Sequence, residues 1–233
     1  MVLKLYGLMT ACTQLVYCIL KEKEIPFEVV LVDMVGTAEH KSPAYLEKQP
    51  FGQVPYIDDD GFILYESRAI CQYIEAKYPK SGNSLLPTDL QGLARFQQMA
   101  YAEAHHFYTP ALAAVRESIY KPLYFKLPCN SEVYKQNIAE LDTKLAVYDK
   151  ILSKQKYIAG DVLTLADLFH LPYGMLIGWT GSDLMDKYPN VSRWFHELEE
   201  RPSWKATLEY AKPMLPTKTE VLRQQVPELF PSA

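Results

Sequence analysis

Gln53-Val54-Pro55 and, one hairpin later, Glu66-Ser67-Arg68-Ala69-Ile70 have the residue types and order to capture a small charged peptide. Proline has no amide hydrogen to give a central strand, so Pro55 belongs at a sheet edge or in a special turn. An X-Pro bond is also where a cis peptide costs least. A cis Val54-Pro55 bond would turn the Val54 amide and carbonyl outward, free to pair with an extended ligand. The Glu66-Ser67 pair opens a helix whose exposed amides and positive dipole end suit a carboxylate. Taken singly, Ser67 could be only a cap and Gln53 only a turn residue. Together they describe a receptor for a small anionic peptide.

The elements that must position these residues alternate over the first eighty positions. Leu3 and Leu5 alternate with Lys4, which predicts a strand over residues 2–6 ending at Gly7. Leu15, Cys18, Ile19 and Glu22 fall at helical spacing, and Ile25-Pro26 breaks that helix. Phe27 to Val32 is rich in β-formers. A polar stretch follows from Asp33 to Ser42, then a short helical segment around Pro43 to Glu47. Val54 to Ile57 and Phe62 to Tyr65 flank an acidic turn closed by Gly61, a hairpin signal. A last helix runs from Ser67 through Ile70, Tyr73 and Ile74 and stops before Pro79. The order strand, helix, strand, helix, hairpin, helix makes a small mixed α/β sheet with a right-handed crossover. A thioredoxin-like domain over residues 1–80 is the expectation.

Residues 81–88 read as a linker, polar and flexible around Lys80-Ser81-Gly82-Asn83-Ser84. From 89 to 233 the pattern is all-α. Thr88 or Asp89 caps a helix that runs toward His106. Ile138, Leu141, Leu145, Tyr148 and Leu152 form an apolar stripe on a long helix. Thr164-Leu165-Ala166-Asp167 has the form of a capping box, and Trp194, Phe195 and Leu198 mark a helix ended by Pro202. The segment 211–233 is proline-rich and is expected to wrap the surface rather than form a further domain.

Composition narrows the function classes. Of 233 residues 48% are apolar and 22% charged, which fits a globular protein with a full core. A net charge of −4 excludes a broadly basic nucleic-acid binder. No apolar run reaches membrane-span length, and the N-terminus lacks a signal-peptide layout. Cys12, Cys18, Cys71 and Cys129 have neither zinc nor C-x-x-C spacing, so no metal site is expected. Cys18 and Cys71 lie on apolar helical faces as core thiols, and a reducing cytoplasmic setting follows.

These motifs combine into a resemblance. Glu39-His40-Lys41, Pro50-Phe51-Gly52-Gln53-Val54-Pro55, Glu66 to Ile70 and the Gly160-Asp161-x-x-Thr164-x-Ala166-Asp167 segment resemble a cytosolic glutathione transferase. The likeness extends to about Tyr210 and is greatest to the phi class and its fungal relatives. It implies a thioredoxin-like domain followed by an all-helical domain, a two-fold homodimer, and no cofactor beyond the co-substrate glutathione. Among the residues, it implies that His40 and Lys41 hold the glycyl carboxylate and that Gln53 adds a hydrogen bond. Val54 would pair its backbone with the cysteinyl unit beside cis Pro55, while Glu66 and Ser67 would take the γ-glutamyl end. His40 and Lys41 could instead be ordinary loop residues.

In phi-class enzymes a serine near the start of the first helix hydrogen-bonds the glutathione sulfur, which lowers the thiol pKa. This chain reads Gly7-Leu8-Met9-Thr10-Ala11-Cys12-Thr13, with no serine. Counting back from the helix places the slot at Thr10, and counting from Gly7 places it at Ala11. The helix-anchored count is preferred, because a loop absorbs a deletion more readily than a packed helix. Thr13 is the second candidate donor, and it could instead satisfy the helix start. Cys12, in the first turn, could form a mixed disulfide and make a thiol transferase, or it could point inward. The resemblance places the electrophile against Leu8 and Met9 and against the helix carrying His106 and Phe107, although Phe107 could instead be core and His106 solvated. Phe51 resembles the aromatic key some classes insert into a partner subunit, or it packs under its own loop. The expected activity is attack of glutathione thiolate on an apolar electrophile or a peroxide, in detoxification. A glutathione-binding carrier with little catalysis is the alternative.

Overall fold

The computed structural model describes residues 2–216 and Val221. They divide into two compact units, one of residues up to Leu86 together with Arg201–Leu215, the other of Pro87–Glu200.

In the first unit the elements run β1 (Leu3–Tyr6), α1 (Ala11–Glu22), β2 (Phe27–Val30), a single 3-10 turn (Glu39–Lys41), α2 (Pro43–Leu46), β3 (Tyr56–Asp59), β4 (Phe62–Tyr65) and α3 (Ser67–Lys77). The sheet order is β2-β1-β3-β4, with β1 and β2 parallel and the other pairs antiparallel. Strand alternation explains the burial: Leu3, Leu5 and Ile57 are buried, while Lys4 and Tyr6 are half-buried on the other face. At the hairpin, Asp60 and Gly61 both take positive φ (57° and 89°), and the Asp58 carboxylate accepts the Gly61 amide at 2.8 Å. Two consecutive left-handed residues match the twist of the strands they join. One row of the register, Val30–Tyr6–Tyr56–Tyr65, ends all four strands together. The segments following β1, β2 and β4 and the one preceding β3 therefore emerge at one end of the sheet.

The second unit is helical: α4 (Leu90–Ala102), α5 (Thr109–Val115), α6 (Ser131–Leu152), α7 (Leu165–Leu168), α8 (Leu171–Trp179), α9 (Leu184–Lys187) and α10 (Pro189–Glu199). The Asp89 carboxylate accepts the Gly92 amide at 2.8 Å and so caps α4. Wider-wound stretches, Glu103–Tyr108 and Arg116–Phe125, flank α5. Leu141, Leu145, Tyr148 and Leu152 are buried along one face of α6, as the stripe predicts, and Ile138 is half-buried. Asp167 is the polar hub of this core. Fully buried, it accepts the Ile158 amide (2.8 Å), the Thr164 amide (2.9 Å), the Thr164 hydroxyl (3.0 Å) and the Trp194 indole N–H (2.9 Å). The Thr164–Asp167 capping box thus closes the start of α7 and also anchors α10.

The last helix, α11 (Pro202–Ala211), packs against α1 in the first unit, which corrects the expectation that everything after residue 89 belongs to one helical domain. The apolar pattern identifies the buried face of α11 but not the partner it covers. Tyr17 stacks on Tyr210 at 4.8 Å, and Cys18 reaches the Ser203 hydroxyl at 3.7 Å. Glu22, buried at the end of α1, accepts from Arg201, from the Ser203 hydroxyl and from the Asn83 amide (2.6 Å). Burial pushes the Glu22 carboxyl up, but those donors, Arg201 foremost, outweigh it and hold the group below the usual carboxylate range. Next in sequence, fully buried Lys23 pairs with Glu75 at 2.8 Å and donates to the Asn83 carbonyl at 2.8 Å.

Residues 80–84, expected to be a loose linker, are fastened by the same groups. The Ser81 hydroxyl donates to the Lys23 carbonyl (2.8 Å), and the amide of buried Leu85 donates to Glu75 (3.0 Å). Gly82 lies at φ 56°, where a Cβ would sit 2.3 Å from the Glu22 carbonyl oxygen, so only glycine fits. Beyond Ala211 a 3-10 turn spans Lys212–Met214, Val221 is buried, and the tail residues other than those up to 216 and Val221 lie outside the described residues. No helix among the described residues is long and apolar enough to cross a membrane.

Candidate functional site

The segments that meet at the Tyr6–Tyr56 end of the sheet carry most of the residues singled out by sequence. The Val54–Pro55 peptide is cis. Neither the amide nor the carbonyl of Val54 makes a backbone hydrogen bond among the described residues. That leaves a short edge of backbone able to pair with an extended chain.

The residue before it is held from beneath. The Tyr45 hydroxyl donates to the Gln53 carbonyl at 2.7 Å, and the Gln53 amide donates to the Gln49 side-chain carbonyl at 3.1 Å. Tyr45 and Gln49 are both buried, whereas the Gln53 side chain is exposed. Tyr45 meets Tyr56 edge-on at 5.2 Å, and Tyr56 stacks on Tyr6 at 4.4 Å. Sequence reasoning missed Tyr45 and Gln49. Gln49 lies beyond the short helix that carries Tyr45, so no local pattern pairs the two.

Lys41 donates from Nζ to the Gly52 carbonyl at 2.7 Å and to the Phe51 carbonyl at 3.4 Å. Its ammonium thus staples the loop in addition to facing solvent. Gly52, at φ 58°, brings the loop against the His40 carbonyl, where a Cβ would lie 2.8 Å away. His40 is half-buried, and its Nδ1 is buried without a hydrogen-bond partner. Burial, with the Lys41 charge adding to it, holds this imidazole below its usual pKa, so it is neutral near pH 7. Phe51 is 63% exposed, its ring edge-on to Tyr65 at 6.0 Å.

At the start of α3, the cap position belongs to Glu66, and Ser67 is the first helical residue, buried. This corrects the reading of Ser67 as a cap. Glu66 holds φ 70° and ψ 105°, a conformation that costs a non-glycine residue about 1–3 kcal/mol. The Ile70 amide closes on the Glu66 carbonyl at 2.9 Å, and no side chain caps this helix.

Thr10 occupies the cap position of α1 in extended geometry, yet its side chain makes no capping bond and the first turn holds no acid. Its Oγ1 lies 3.4 Å from the Thr13 hydroxyl oxygen. Thr13 is fully buried and packs under Gly7, where a Cβ would come within 2.7 Å of Thr13 Oγ1. Cys12 and Leu8 are half-buried. Met9 is fully buried, which corrects its placement against the electrophile. Phe107, in the second unit, is likewise fully buried, 4.7 Å from the His170 ring, and is not free to line a cleft; His106 is exposed. Among the described residues no group of three or more His, Cys, Asp or Glu side chains could hold a metal.

Comparison with known proteins agrees with this geometry. Residues 5–83 match the family model for the glutathione S-transferase N-terminal domain, and residues 111–202 the one for the glutathione S-transferase C-terminal domain. Glutathione S-transferase hmp2 of Hypomyces subiculosus is 41% identical over 215 residues, covering 90% of this chain and 99% of that protein. Glutathione transferase F2 of Populus trichocarpa superposes with a TM-score of 0.85 at 36% identity, covering 91% of this chain and 99% of that one. Glutathione S-transferase I from mais, solved in complex with an atrazine glutathione conjugate, gives 0.84 at 32% identity over 92% of this chain and all of that one.

Proposed function

We propose, from the premise that this chain belongs to the glutathione S-transferase family and is phi-class-like, that Thr10 activates the glutathione thiol. The protein is a glutathione transferase: it conjugates glutathione to electrophiles. In our reading the tripeptide lies across the Tyr6–Tyr56 end of the sheet. Its γ-glutamyl carboxylate meets the uncapped start of α3 at Ser67, its ammonium faces Glu66, and its cysteinyl backbone pairs with Val54. The glycyl carboxylate reaches His40, Gln53 and the remaining proton of Lys41.

The sulfur then lies at the open start of α1. The observation that carries this is Thr10 itself, a cap residue whose hydroxyl makes no capping bond to the helix it opens. Accepting from Thr13 and donating to sulfur, it would favour the thiolate, and the helix amides add to that. The thiol proton leaves to solvent, and the thiolate sulfur forms its bond to the electrophilic centre as a leaving group departs with its bonding pair or, in an addition, as the π pair moves to the neighbouring atom and takes a proton from solvent. Leu8 supplies apolar contact to the second substrate. We also propose a cytoplasmic homodimer with exposed Phe51 near its interface, a role in detoxification, and no cofactor beyond glutathione.

Titrating the thiol of protein-bound glutathione by its thiolate ultraviolet absorbance tests the assignment. The bound thiol should ionise well below the ~8.5 of a free thiol. Binding without that change would make the protein a carrier and end this reading.

The support beneath Gln53 makes a separate prediction. Tyr45→Phe removes one hydrogen bond to the Gln53 carbonyl, worth about 0.5–1.5 kcal/mol. The KM for glutathione should rise roughly 2- to 10-fold. The expected kcat is unchanged, because the edge Tyr45 steadies binds ground and transition states alike. Steady-state kinetics with glutathione varied would show it.

A further inference from the structure

We infer that Gln14 is a positioning residue for the sulfur-activating hydroxyl, an inference that rests on the role proposed for Thr10. Gln14 lies one turn into α1 and is buried on a helix that also buries the aliphatic Leu15, Val16 and Ile19. Its Nε2 donates to the Met9 carbonyl at 2.8 Å, and its backbone amide donates to the Thr10 carbonyl at 2.9 Å. The Thr10 amide in turn closes on the Leu8 carbonyl at 2.6 Å. One residue therefore holds the carbonyls on both sides of Thr10, and the loop between β1 and α1 is tied to the helix it enters.

The side-chain amide has only one sensible orientation. Flipped, its oxygen would face the Met9 carbonyl oxygen, two acceptors against each other. As it stands, Gln14 Oε1 is buried with no hydrogen-bond partner, a cost that an apolar side chain of the same size would avoid. What the amide supplies in return is local. The Met9 carbonyl belongs to the peptide unit that carries the Thr10 nitrogen, so fixing it fixes the plane from which Thr10 Cα departs. Threonine is stiff about its first side-chain torsion, so a fixed backbone aims the hydroxyl. Gln14 acts on the sulfur only through Thr10.

Gln14→Met keeps the volume and removes the donor. The bound-glutathione thiol should ionise at higher pH, and kcat/KM at neutral pH should fall by about 10-fold, the size of one lost hydrogen bond. Turnover should recover once pH exceeds the new thiol pKa, and glutathione affinity should change by less than about twofold. In a Thr10→Ala background the same substitution should move none of these, since a residue acting through Thr10 has nothing left to aim. A wild-type thiol pKa in Gln14→Met, or a full additional effect on top of Thr10→Ala, would overturn the inference. A Thr10→Ala protein with an unmoved thiol pKa would instead defeat the reading of Thr10 itself, so the two failures are distinguishable. Gln14→Leu removes the same donor and is read the same way should the methionine variant not fold.

Discussion

Thr10→Ala is expected to lower kcat/KM at neutral pH by roughly 10- to 100-fold, because a hydrogen bond to a charged group contributes about 1.5–3 kcal/mol. The loss falls on ionisation of the thiol rather than on binding. The tripeptide is held at its two charged ends and along the Val54 edge, none of which the substitution touches, so glutathione affinity should stay close to wild type. The sign of the pH dependence follows. Hydrogen bonding to the thiolate lowers the thiol pKa, so losing the donor raises it and moves the acid limb of the rate profile upward. Mutant and wild type should converge above both pKa values, and Thr10→Ser should retain most of the activity. Turnover of Thr10→Ala equal to wild type across that profile removes Thr10 from the mechanism. Thr13, whose hydroxyl oxygen is 3.4 Å away, would be the next donor to examine.

Asp167→Ala is expected to destabilise the protein by about 3–5 kcal/mol, because it leaves several buried donors unpaired at about 1–3 kcal/mol each. Four donors converge on that carboxylate, and three of them, the Ile158 amide, the Thr164 amide and the Trp194 indole, are fixed in place by the fold. Truncating the acceptor leaves them buried and unpaired, each with its desolvation unrepaid. The unfolding midpoint should fall by roughly 10–15 °C in a thermal scan. Asp167→Asn should lie between alanine and wild type, since its single oxygen can still accept. A midpoint for the alanine variant within a degree or two of wild type would show that the hub is not what holds α7 and α10 together.

Much of the candidate site could be read from local pattern. The alternation in β1, the acidic turn closed by Gly61, the proline after Val54 and the capping box at Thr164 are set by nearest neighbours, and each lies close to where it is expected. The residues that were missed or misread depend on partners far away in the chain. Residues 80–84 are polar and look loose, but their anchors are Glu22 and Lys23, about sixty positions earlier. Met9 sits in a loop, where exposure is the ordinary expectation; its burial goes with a carbonyl tied to Gln14. Tyr45 and Gln49 carry no chemistry of their own and matter through a hydrogen bond each to the backbone of Gln53. Phe107 belongs to a helical pattern that leaves open which face meets the core, and the ring of His170 settles it.

The return of α11 to α1 bears on how the molecule is made. A polypeptide leaves the ribosome N-terminus first, so the four strands and their first three helices are available long before residues 201–215 exist. Throughout that interval Tyr17, Cys18 and Glu22 lack their cover, and the Glu22 carboxylate is without the guanidinium that later neutralises it. The first unit is thus finished only after residues 201–215 have been made. A message cut short before codon 201 would encode every residue assigned to the tripeptide and still deliver a half with one side open.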